Sequence, residues 1–284
     1  MKSPLFCSVE LAERIERVEA QMITAATEVA RLRVGAKAFV MPIAAGVACY
    51  AEEGSPLNKI AGLGFGGVPG SDELGEIEQA FAVRASATHV ELSNLADPEI
   101  GAALTSRGYQ LVSFENVLGR SLDGEQQPHT APGIEVKPSD DPAAWLDVIV
   151  DGFAHPDVEG VPSHEDFPSE VIEKAIGDIE QAGATPYLAY RDGVVAGGGS
   201  MRISDGVAQL TGAATSPAHR RRGVQTALLS ARLADAARAG ADVAVVTTQP
   251  GSKSQQNVQS RGFHLLYTRA VLVKPPDGSV PIVP

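Results

Sequence analysis

Residues 211–229 read Thr-Gly-Ala-Ala-Thr-Ser-Pro-Ala-His-Arg-Arg-Arg-Gly-Val-Gln-Thr-Ala-Leu-Leu, and this segment decides how the chain around it is arranged. Its small residues predict the end of a strand, Pro217 predicts a turn, and the pattern after Gly223 predicts a helix. The first turn of a helix leaves backbone N–H groups without partners and carries partial positive charge. Glycine lets a phosphate approach that backbone, and the arginines at 220–222 add full charges. We interpret the segment as a pyrophosphate-binding loop, with a solvated basic turn as the alternative.

The composition excludes several classes of protein. The chain has 284 residues, 44% of them hydrophobic, which is enough for a packed core of mostly small aliphatic side chains. Its formal net charge of −12 argues against a nucleic acid or an anionic membrane as the main partner. Cys7 and Cys49, the only cysteines, fit a reducing compartment and form no metal-binding pattern. Because no apolar run reaches about 18 residues, we expect a soluble cytoplasmic protein. Because the cysteines form no metal-binding pattern, we expect no metal.

The first half is predicted to begin with a long amphipathic helix at 8–33. Its apolar residues recur at alternating steps of four and three, namely Leu11, Ile15, Val18, Met22, Ala25, Val29 and Leu32. Gly35 is expected to end this helix. The rest of the half is predicted to form strands at 37–41, 46–51, 59–65, 87–92 and 110–119 and helices at 72–84 and 97–107.

The second half follows a polar segment at 121–133 that contains Pro and Gly but no apolar periodicity. We take this segment as a linker between a domain at 1–120 and a domain at 134–284. Asp192-Gly193 predicts a hairpin turn, and the glycines at 197–199 indicate a bulged strand. Predicted strands lie at 134–137, 186–191, 194–203, 207–215, 242–248 and 264–273, and predicted helices at 140–151, 168–182, 223–239 and 253–260.

The two halves repeat one another in the order of their elements. Arg107-Gly-Tyr109 and Arg261-Gly-Phe263 each end a short helix and open a strand, and a buried strand precedes each helix at the same distance. Both halves run helix, hairpin, strand, helix, strand, helix, strand. The glycine-rich segment 62–67 therefore stands where the second half has its arginine loop. Because it lacks arginine and acidic residues follow it, we expect it to serve packing and not to bind a phosphate.

The second half resembles the GNAT superfamily of CoA-dependent N-acyltransferases. The signature of that family, Gln/Arg-x-x-Gly-x-Gly/Ala between a strand and a helix, matches residues 220–225, except that Gln225 stands where Gly or Ala is usual. The segment 250–257 and Arg261-Gly-Phe263 look like the later helix of the family and its end. The first half resembles the same fold through the repeat. The resemblance implies an α/β fold of two tandem GNAT-like domains, each with a mixed, mostly antiparallel sheet flanked by helices.

The resemblance also implies a binding mode for acetyl-CoA as co-substrate. The strand at 207–215 would separate from the strand at 242–248, and the pantetheine arm would lie in the gap against backbone groups of Ala213 and Thr215. Asn257 would lie near the same arm. Backbone N–H groups and cationic side chains would hold the pyrophosphate, namely those of Arg220, Arg222, Gly223, Val224, Gln225 and Thr226.

The catalytic groups are less evident in the sequence. Many family members carry a Glu in the strand before the loop, where this strand offers Gln209 and Thr211, and a Tyr at the position that is Val258 here. Ser254 or Tyr267 would replace that Tyr as proton donor to the leaving thiolate. One segment is rich in carboxylates and imidazoles, and it is a candidate for the general base or for binding a cationic acceptor. The alternative interpretation is that this segment is a polar surface loop. Its members are Asp151, His155, Asp157, His164, Glu165 and Asp166.

Two functions remain open from the sequence. The first is an N-acetyltransferase with a degenerate first copy and an active second copy, in which a small-molecule amine attacks acetyl-CoA directly in a ternary complex. The two copies would form a pseudo-dimer within one chain, or such chains would form a homodimer. The second is a non-catalytic CoA-binding or regulatory protein that keeps the fold, which the missing Glu and Tyr favour.

Overall fold

The structure is a computed structural model that describes residues 5–124, 132–155 and 167–276. Within these ranges both halves have the predicted order of elements, so the internal repeat is confirmed at the level of secondary structure. Among the described residues, the second half has one additional strand and one additional helix before its repeat begins. Most of the predicted linker at 121–133 lies outside the described residues.

The elements of the first half are α1 (Val9–Val34), β1 (Phe39–Ile43), β2 (Gly46–Tyr50), β3 (Lys59–Ala61), α2 (Ser71–Ala82), β4 (Thr88–Ser93), α3 (Pro98–Ser106) and β5 (Gln110–Ser121). The elements of the second half are β6 (Ile134–Pro138), α4 (Pro142–Ala154), α5 (Ser169–Gln181), β7 (Thr185–Arg191), β8 (Val194–Ser204), β9 (Val207–Thr215), α6 (Val224–Arg238), β10 (Val243–Thr248), α7 (Lys253–Gln259) and β11 (His264–Lys274).

The described strands form one continuous sheet in the order β1-β2-β3-β4-β11-β5-β10-β9-β8-β7-β6. The two halves exchange their last strands, because β11 pairs with β4 of the first half and β5 pairs with β10 of the second. At the centre, β5 and β11 run antiparallel from His264 opposite Gly119 to Val273 opposite Gln110. Each half therefore completes its part of the sheet with a strand from the other.

Strand β3 is shorter than the predicted strand at 59–65, because the chain leaves the extended conformation at Gly62. Gly62 and Gly64 have φ angles of 72° and 134°, in the left-handed region that glycine enters without steric cost. Consequently β3 pairs with β4 at a single position, Ile60 opposite Val90. The parallel pair of the first half is thus much reduced.

Helices cover both faces of the sheet. Alternate residues of a strand point to opposite faces, and in β2 Val47 and Cys49 pack against α1 whereas Ala48 and Tyr50 pack against α2. Strand β10 shows the same alternation between α1 and α6. Helices α1, α4 and α5 therefore lie on one face, and α2, α3, α6 and α7 lie on the other.

The buried face of α1 differs from the predicted one in its last turns. Ile15 and Met22 are buried as predicted, but further along Ala26 and Ala30 face the protein and Leu32 is 88% exposed. There α1 packs against α5 as well as against the sheet. Small side chains let α1 and α5 approach closely. The buried residues in the last turns of α1 are therefore alanines and not the large apolar residues from which its buried face was predicted.

A buried ion cluster joins α1 to the exchanged strand β11. The Nε atom of Arg269 donates to Oε1 of Glu16 over 2.7 Å, and both side chains are almost fully buried. The hydroxyl of Tyr267 donates to the same oxygen over 2.6 Å, and Nη1 of Arg269 lies 3.6 Å from Oε2 of Glu91. Burial acts to lower the pKa of Arg269, but its electrostatic interactions with Glu16, Tyr267, Glu19 and Glu91 together outweigh that effect and raise the pKa well above its usual range.

Replacing Arg269 with Met is expected to lower the free energy of unfolding by about 3–5 kcal/mol, because Glu16 would stay buried without its cation. The matched control is Arg14→Met, since Arg14 pairs with Asp242 at 3.0 Å across the same two halves but at the surface. Such exposed pairs contribute about 0–1 kcal/mol. Urea unfolding measures both variants.

The double variant Arg269→Met/Glu16→Met should regain part of the lost stability, since the buried carboxylate of Glu16 is removed together with its cation and Glu91 keeps Lys59. Equal losses in Arg269→Met and Arg14→Met would contradict the role given to the cluster.

Candidate functional site

Strands β9 and β10 run parallel and separate after three residue pairs. Residues 207–209 pair with residues 243–245. Beyond these pairs β9 continues to Thr215 and β10 to Thr248, and no further pairing joins the two strands. The predicted separation of these strands is confirmed, and it opens a gap between their carboxyl ends.

A bulge in β9 shapes one wall of the gap. Gly212 and Ala213 of β9 together oppose the single residue Gly199 of β8, and Gly212 has a φ of 42°. A bulge leaves backbone groups outside the regular ladder. Ala213, predicted to bind through its backbone, lies in this bulge. The glycines at 197–199 are predicted to mark a bulged strand, but at this point the extra residue lies in β9, opposite Gly199.

A buried arginine of α6 holds the bulge in place. Nη1 of Arg232 donates to the carbonyl of Ser200 over 2.9 Å and to that of Thr211 over 3.4 Å. Burial lowers the pKa of Arg232 to about 10, so the guanidinium stays charged at neutral pH. A Cβ atom at Gly199 would lie only 3.0 Å from Cζ of Arg232. Any side chain larger than that of glycine would therefore crowd the guanidinium. No local sequence pattern marks Arg232 for this contact.

The arginine loop leads from β9 into α6. A short 3-10 turn at Pro217–His219 follows the strand, and α6 begins at Val224 after the N-cap residue Gly223. Arg221 and Gly223 have φ angles of 59° and 86°, so left-handed residues curl the backbone just before the helix. No side chain of the described residues caps α6. Its first-turn N–H groups and their partial positive charge are therefore available to an anion.

The corresponding helix start in the first half is closed by the protein itself. The carboxylate of Glu73 accepts from the N–H of Gly70 over 3.2 Å and from that of Ala44 over 3.3 Å. The glycine-rich segment before α2 packs tightly, since a Cβ at Gly66 would lie 2.3 Å from that of Ala45. Both observations agree with the expectation that this segment serves packing.

Arg220 and Arg222 occupy different environments. Nε of Arg220 donates to the carbonyl of Thr215 over 3.3 Å, and its Nη2 donates to the carbonyls of Gly152, over 3.5 Å, and His155 at the end of α4. Arg222 is exposed and forms no hydrogen bond or ion pair within the described ranges. The side chain of Arg220 thus ties the loop to α4, whereas that of Arg222 is available to a ligand.

Arg261 adds a cation that the sequence analysis did not assign. Its Nη2 donates to Oγ1 of Thr226 over 2.8 Å, which places the guanidinium against the first turn of α6. Gln225 and Thr226 are partly buried, and Val224 is buried in the core, so Val224 offers only backbone atoms. The Arg-Gly-Phe sequence marked the end of a helix but carried no signal for this contact.

Three buried polar atoms near the gap have no hydrogen-bond partner in the part of the chain that the structure describes. They are Oγ1 of Thr215 at the end of β9, Oγ1 of Thr248 at the end of β10, and Nδ1 of His219 in the loop. Buried polar groups in proteins are normally paired. The ends of both strands therefore present hydrogen-bonding capacity that a ligand in the gap would use, and Thr248 is an addition to the predicted residues.

Helix α7 contributes two of the predicted residues beside the end of β10. Ser254 and Asn257 are both exposed on this helix. Val258, which stands where related sequences have Tyr, is buried with Phe263 and Leu228 in the core. The structure therefore makes position 258 a packing position.

Tyr267 lies apart from these residues. Its strand β11 is separated from β10 by β5, and its hydroxyl belongs to the buried ion cluster with Glu16. Burial, and then the negative charge of Glu16, raises the pKa of Tyr267 well above its usual range. The structure thus groups Tyr267 with Arg269 and not with Ser254 and Asn257.

The predicted acidic and imidazole-rich segment is only partly described. His155 follows α4 and is exposed, and its Nδ1 lies 3.3 Å from Oδ1 and 2.9 Å from the carbonyl oxygen of Asp151. The other predicted members of the segment lie outside the described residues, namely Asp157, His164, Glu165 and Asp166.

A carboxylate from the first half reaches β9. Nε2 of Gln209 donates to Oε2 of Glu19 on α1 over 2.8 Å, and Nη1 of Arg202 donates to Oε1 of Gln209 over 3.3 Å. Sequence reasoning missed Glu19, because the two residues are far apart in the chain. The available signal was a pair of glutamates, Glu16 and Glu19, among the apolar residues of an amphipathic helix.

The described ranges place no group of three or more His, Cys, Asp or Glu side chains so as to hold a metal ion. Over the same ranges, no helix has both the length and the apolar character needed to cross a membrane.

Thr248→Val is expected to raise the free energy of unfolding of the ligand-free protein by about 1 kcal/mol, because it removes a buried hydroxyl that lacks a partner. Thr268→Val is the matched control, since Oγ1 of Thr268 donates to Oδ1 of Asn116 over 2.9 Å and its loss leaves that oxygen unpaired. The control should lose about 1–3 kcal/mol. If urea unfolding shows Thr248→Val to be as destabilised as the control, the hydroxyl of Thr248 has a partner within the protein.

Residues 152–264 match the sequence profile of the Acetyltransferase (GNAT) family. A GCN5-related N-acetyltransferase from Kribbella flavida superposes with a TM-score of 0.61 at 20% identity, covering 88% of this chain and 95% of that one. A tandem GNAT protein from the clavulanic acid biosynthesis pathway gives 0.61 at 13% identity, with 90% and 89% covered. A GCN5-related N-acetyltransferase from Sphaerobacter thermophilus gives 0.55 at 16% identity, with 74% and 69% covered.

A search of curated proteins found no match. At the identities of the solved structures, the likeness concerns the fold, and it extends over both halves of the chain. Residues 152–264 thus match the Acetyltransferase (GNAT) family, and the two halves of the chain together have the fold of a tandem GNAT protein.

Proposed function

We propose that the chain is an N-acyltransferase, most simply an N-acetyltransferase, that moves the acetyl group of acetyl-CoA to the amine of a small molecule in a ternary complex. The observation that carries the proposal is the uncapped start of α6 at the mouth of the gap between β9 and β10. A thioester arm fits a gap lined by unpaired backbone, and its pyrophosphate fits a helix start with adjacent cations. The family match of residues 152–264 supports acyl transfer as the reaction class.

Backbone and side-chain groups would hold two parts of acetyl-CoA, the pantetheine arm in the gap and the pyrophosphate at the start of α6. Backbone groups of Ala213 and Thr215, with the hydroxyls of Thr215 and Thr248, would bind the arm, and Asn257 would lie beside it. Most of the pyrophosphate contacts would come from N–H groups, namely those of Gly223, Val224, Gln225 and Thr226. Arg222 and Arg261 would add charge-assisted hydrogen bonds, which are stronger than neutral ones. Arg220 would act mainly by holding the loop against α4.

The reaction needs a polarised carbonyl and an amine in its neutral form. Backbone N–H groups near residues 213–215, freed by the bulge, would stabilise the negative charge that develops on the thioester oxygen. The nitrogen lone pair attacks the carbonyl carbon, a C–N bond forms and the C–S bond breaks. The nitrogen loses a proton and the sulfur of CoA gains one.

Of the two hydroxyls considered for protonating the sulfur, Ser254 is the better placed. It lies exposed on α7 together with Asn257, whereas the Tyr267 hydroxyl is buried against Glu16 two strands away from β10. We therefore assign this role to Ser254, acting directly or through water.

Only the second half would bind CoA, because Glu73 already occupies the helix start in the first half. Calorimetric titration with CoA and acetyl-CoA should accordingly show one site per chain. Arg222→Ala should weaken CoA binding about tenfold, as expected for one charge-assisted hydrogen bond. The double variant Arg220→Ala/Arg222→Ala should weaken it further.

Arg238→Ala is the matched control for this titration, because Arg238 lies at the opposite end of α6 and pairs with Asp235 at 2.7 Å. Its CoA affinity should equal that of the wild type. Pantetheine, which lacks the pyrophosphate, should bind Arg222→Ala and the wild type equally. Absence of CoA binding, or an unchanged affinity in the double variant, would overturn the assignment of the loop.

Transfer is tested by the release of free thiol from acetyl-CoA in the presence of small primary amines such as spermidine, tyramine, histamine, lysine and kanamycin. Acetylated product, identified by mass, should appear for at least one amine. A protein that binds acetyl-CoA but acetylates none of them would instead fit the second function considered from the sequence, a non-catalytic CoA-binding protein.

A further inference from the structure

The contact between Glu19 and Gln209 brings a carboxylate of the first half to the strand that forms the gap of the second. Gln209 is the last residue of β9 that pairs with β10, so it stands where the two strands begin to separate. Nε2 of Gln209 donates to Oε2 of Glu19 over 2.8 Å. The carboxylate therefore lies at the closed end of the gap.

Glu19 lies on the face of the sheet along which α1 and α4 both pack against β9. Val207 packs against α1 on this face, and Gln209, two residues further, points the same way. Helix α4 covers the continuation of the same face, since a Cβ at Gly152 would lie 2.4 Å from that of Ala214. An amine that reaches the gap between α1 and α4 would meet Glu19.

Other carboxylates of this region are already used by the protein. Glu16 is 1% exposed and accepts hydrogen bonds from Arg269 and Tyr267. Glu91 is 5% exposed and pairs with Lys59 and Arg269. Glu19 differs, because it is partly exposed and its hydrogen-bond partner is a neutral amide.

We propose that Glu19, carried by α1 of the first half, is the group that takes the proton from the attacking amine in the site of the second half. This inference rests on the proposed acetyl transfer. As the amine nitrogen bonds to the thioester carbon, its proton passes through a chain of water molecules to a carboxylate oxygen of Glu19. The sulfur of CoA leaves with the electron pair of the C–S bond and is protonated, and Glu19 later returns its proton to solvent.

The charges around Glu19 suit this role. Burial raises the pKa of Glu19, and the positive charge of Arg269 opposes that effect without outweighing it. A carboxyl group with a raised pKa is a stronger base once ionised than an ordinary exposed one. The charged and titratable groups around it are Glu16 on α1, Lys59 on β3, Glu91 on β4, Arg202 on β8, and Tyr267 and Arg269 on β11, with Glu115 of β5 lying 3.7 Å from Arg269.

The raised pKa fixes the sign of the pH dependence. Glu19 must be ionised to accept a proton, so the rate should rise with pH as its carboxyl group loses its proton. This acidic limb should lie above the usual carboxyl range, whose centre for Glu is about 4.3. Removing the carboxylate should remove the limb.

The test is Glu19→Gln, which keeps an oxygen that can accept from Gln209. With acetyl-CoA and the best amine of the panel above, kcat should fall about a hundredfold or more. The CoA affinity by calorimetry and the melting temperature should stay close to those of the wild type. Glu13→Gln is the matched control, because Glu13 lies exposed on the same helix, 4.0 Å from Arg17. This variant should keep the wild-type kcat and pH profile.

A charge swap separates a proton acceptor from a structural contact. In Glu19→Gln/Gln209→Glu the carboxylate moves from residue 19 to its hydrogen-bond partner at residue 209. The kcat of this variant should be about ten times that of Glu19→Gln, and the acidic limb of its pH–rate profile should return. A purely structural role predicts no return of that limb.

The outcomes distinguish this inference from the proposed function. Transfer by the wild type with an unchanged kcat and pH profile in Glu19→Gln would overturn the inference and leave the proposed function standing. Loss of CoA affinity in Glu19→Gln, without recovery in the swap, would also overturn it. No transfer by the wild type to any amine of the panel would overturn both.

Discussion

Strands β5 and β11 pair antiparallel at the centre of the sheet. Strand β5 of the first half lies next to the strands of the second half, and strand β11 of the second half lies next to the strands of the first. Their ladder makes the two halves into one body, because neither half closes its sheet with its own last strand. The exchange also fixes the position of α1. This helix belongs to the first half but packs against β9 and β10 of the second, through residues such as Val207 and Val245.

The buried ions at this junction carry an energetic cost that the geometry offsets. Transfer of charged groups from water is unfavourable, and it is tolerated only when each charge is paired and hydrogen-bonded. Arg269 meets Glu16, Glu91 and Glu115 within 3.7 Å or less. Because these partners come from α1, β4 and β5, the ion pairs of Arg269 form only when the exchanged arrangement forms. A mispaired central strand would leave the ions without partners.

The two halves divide the work although they repeat the same elements. In the second half, the diverging strands and the uncapped α6 form the gap and the loop. In the first half, the parallel pair is reduced to a single position, and the carboxylate of Glu73 lies at the helix start and accepts from the N–H of Gly70. What the first half contributes is a helix surface, which brings Glu19 to Gln209. The first half thus contacts the gap of the second through α1.

Much of this protein could be predicted from local sequence patterns. Apolar periodicity and Gly and Pro positions gave the elements, because these patterns reflect backbone preferences within a few residues. They also located the arginine loop, since the strand, the turn and the helix start are adjacent in the chain. They failed for the end of α1, where Leu32 is exposed and Ala30 buried, because the neighbour of that helix is the distant helix α5.

The sequence by itself thus determined the element order, the internal repeat and the segment at 211–229 where a helix start meets the cations. Only the tertiary structure decided that the halves exchange β5 and β11 and that Arg220 is turned to protein carbonyls while Arg222 is exposed. It also decided that Glu19 lies at the closed end of the gap. The reason is physical: a side chain's partners depend on which distant strands and helices pack beside it, and strand exchange leaves no local pattern in the chain.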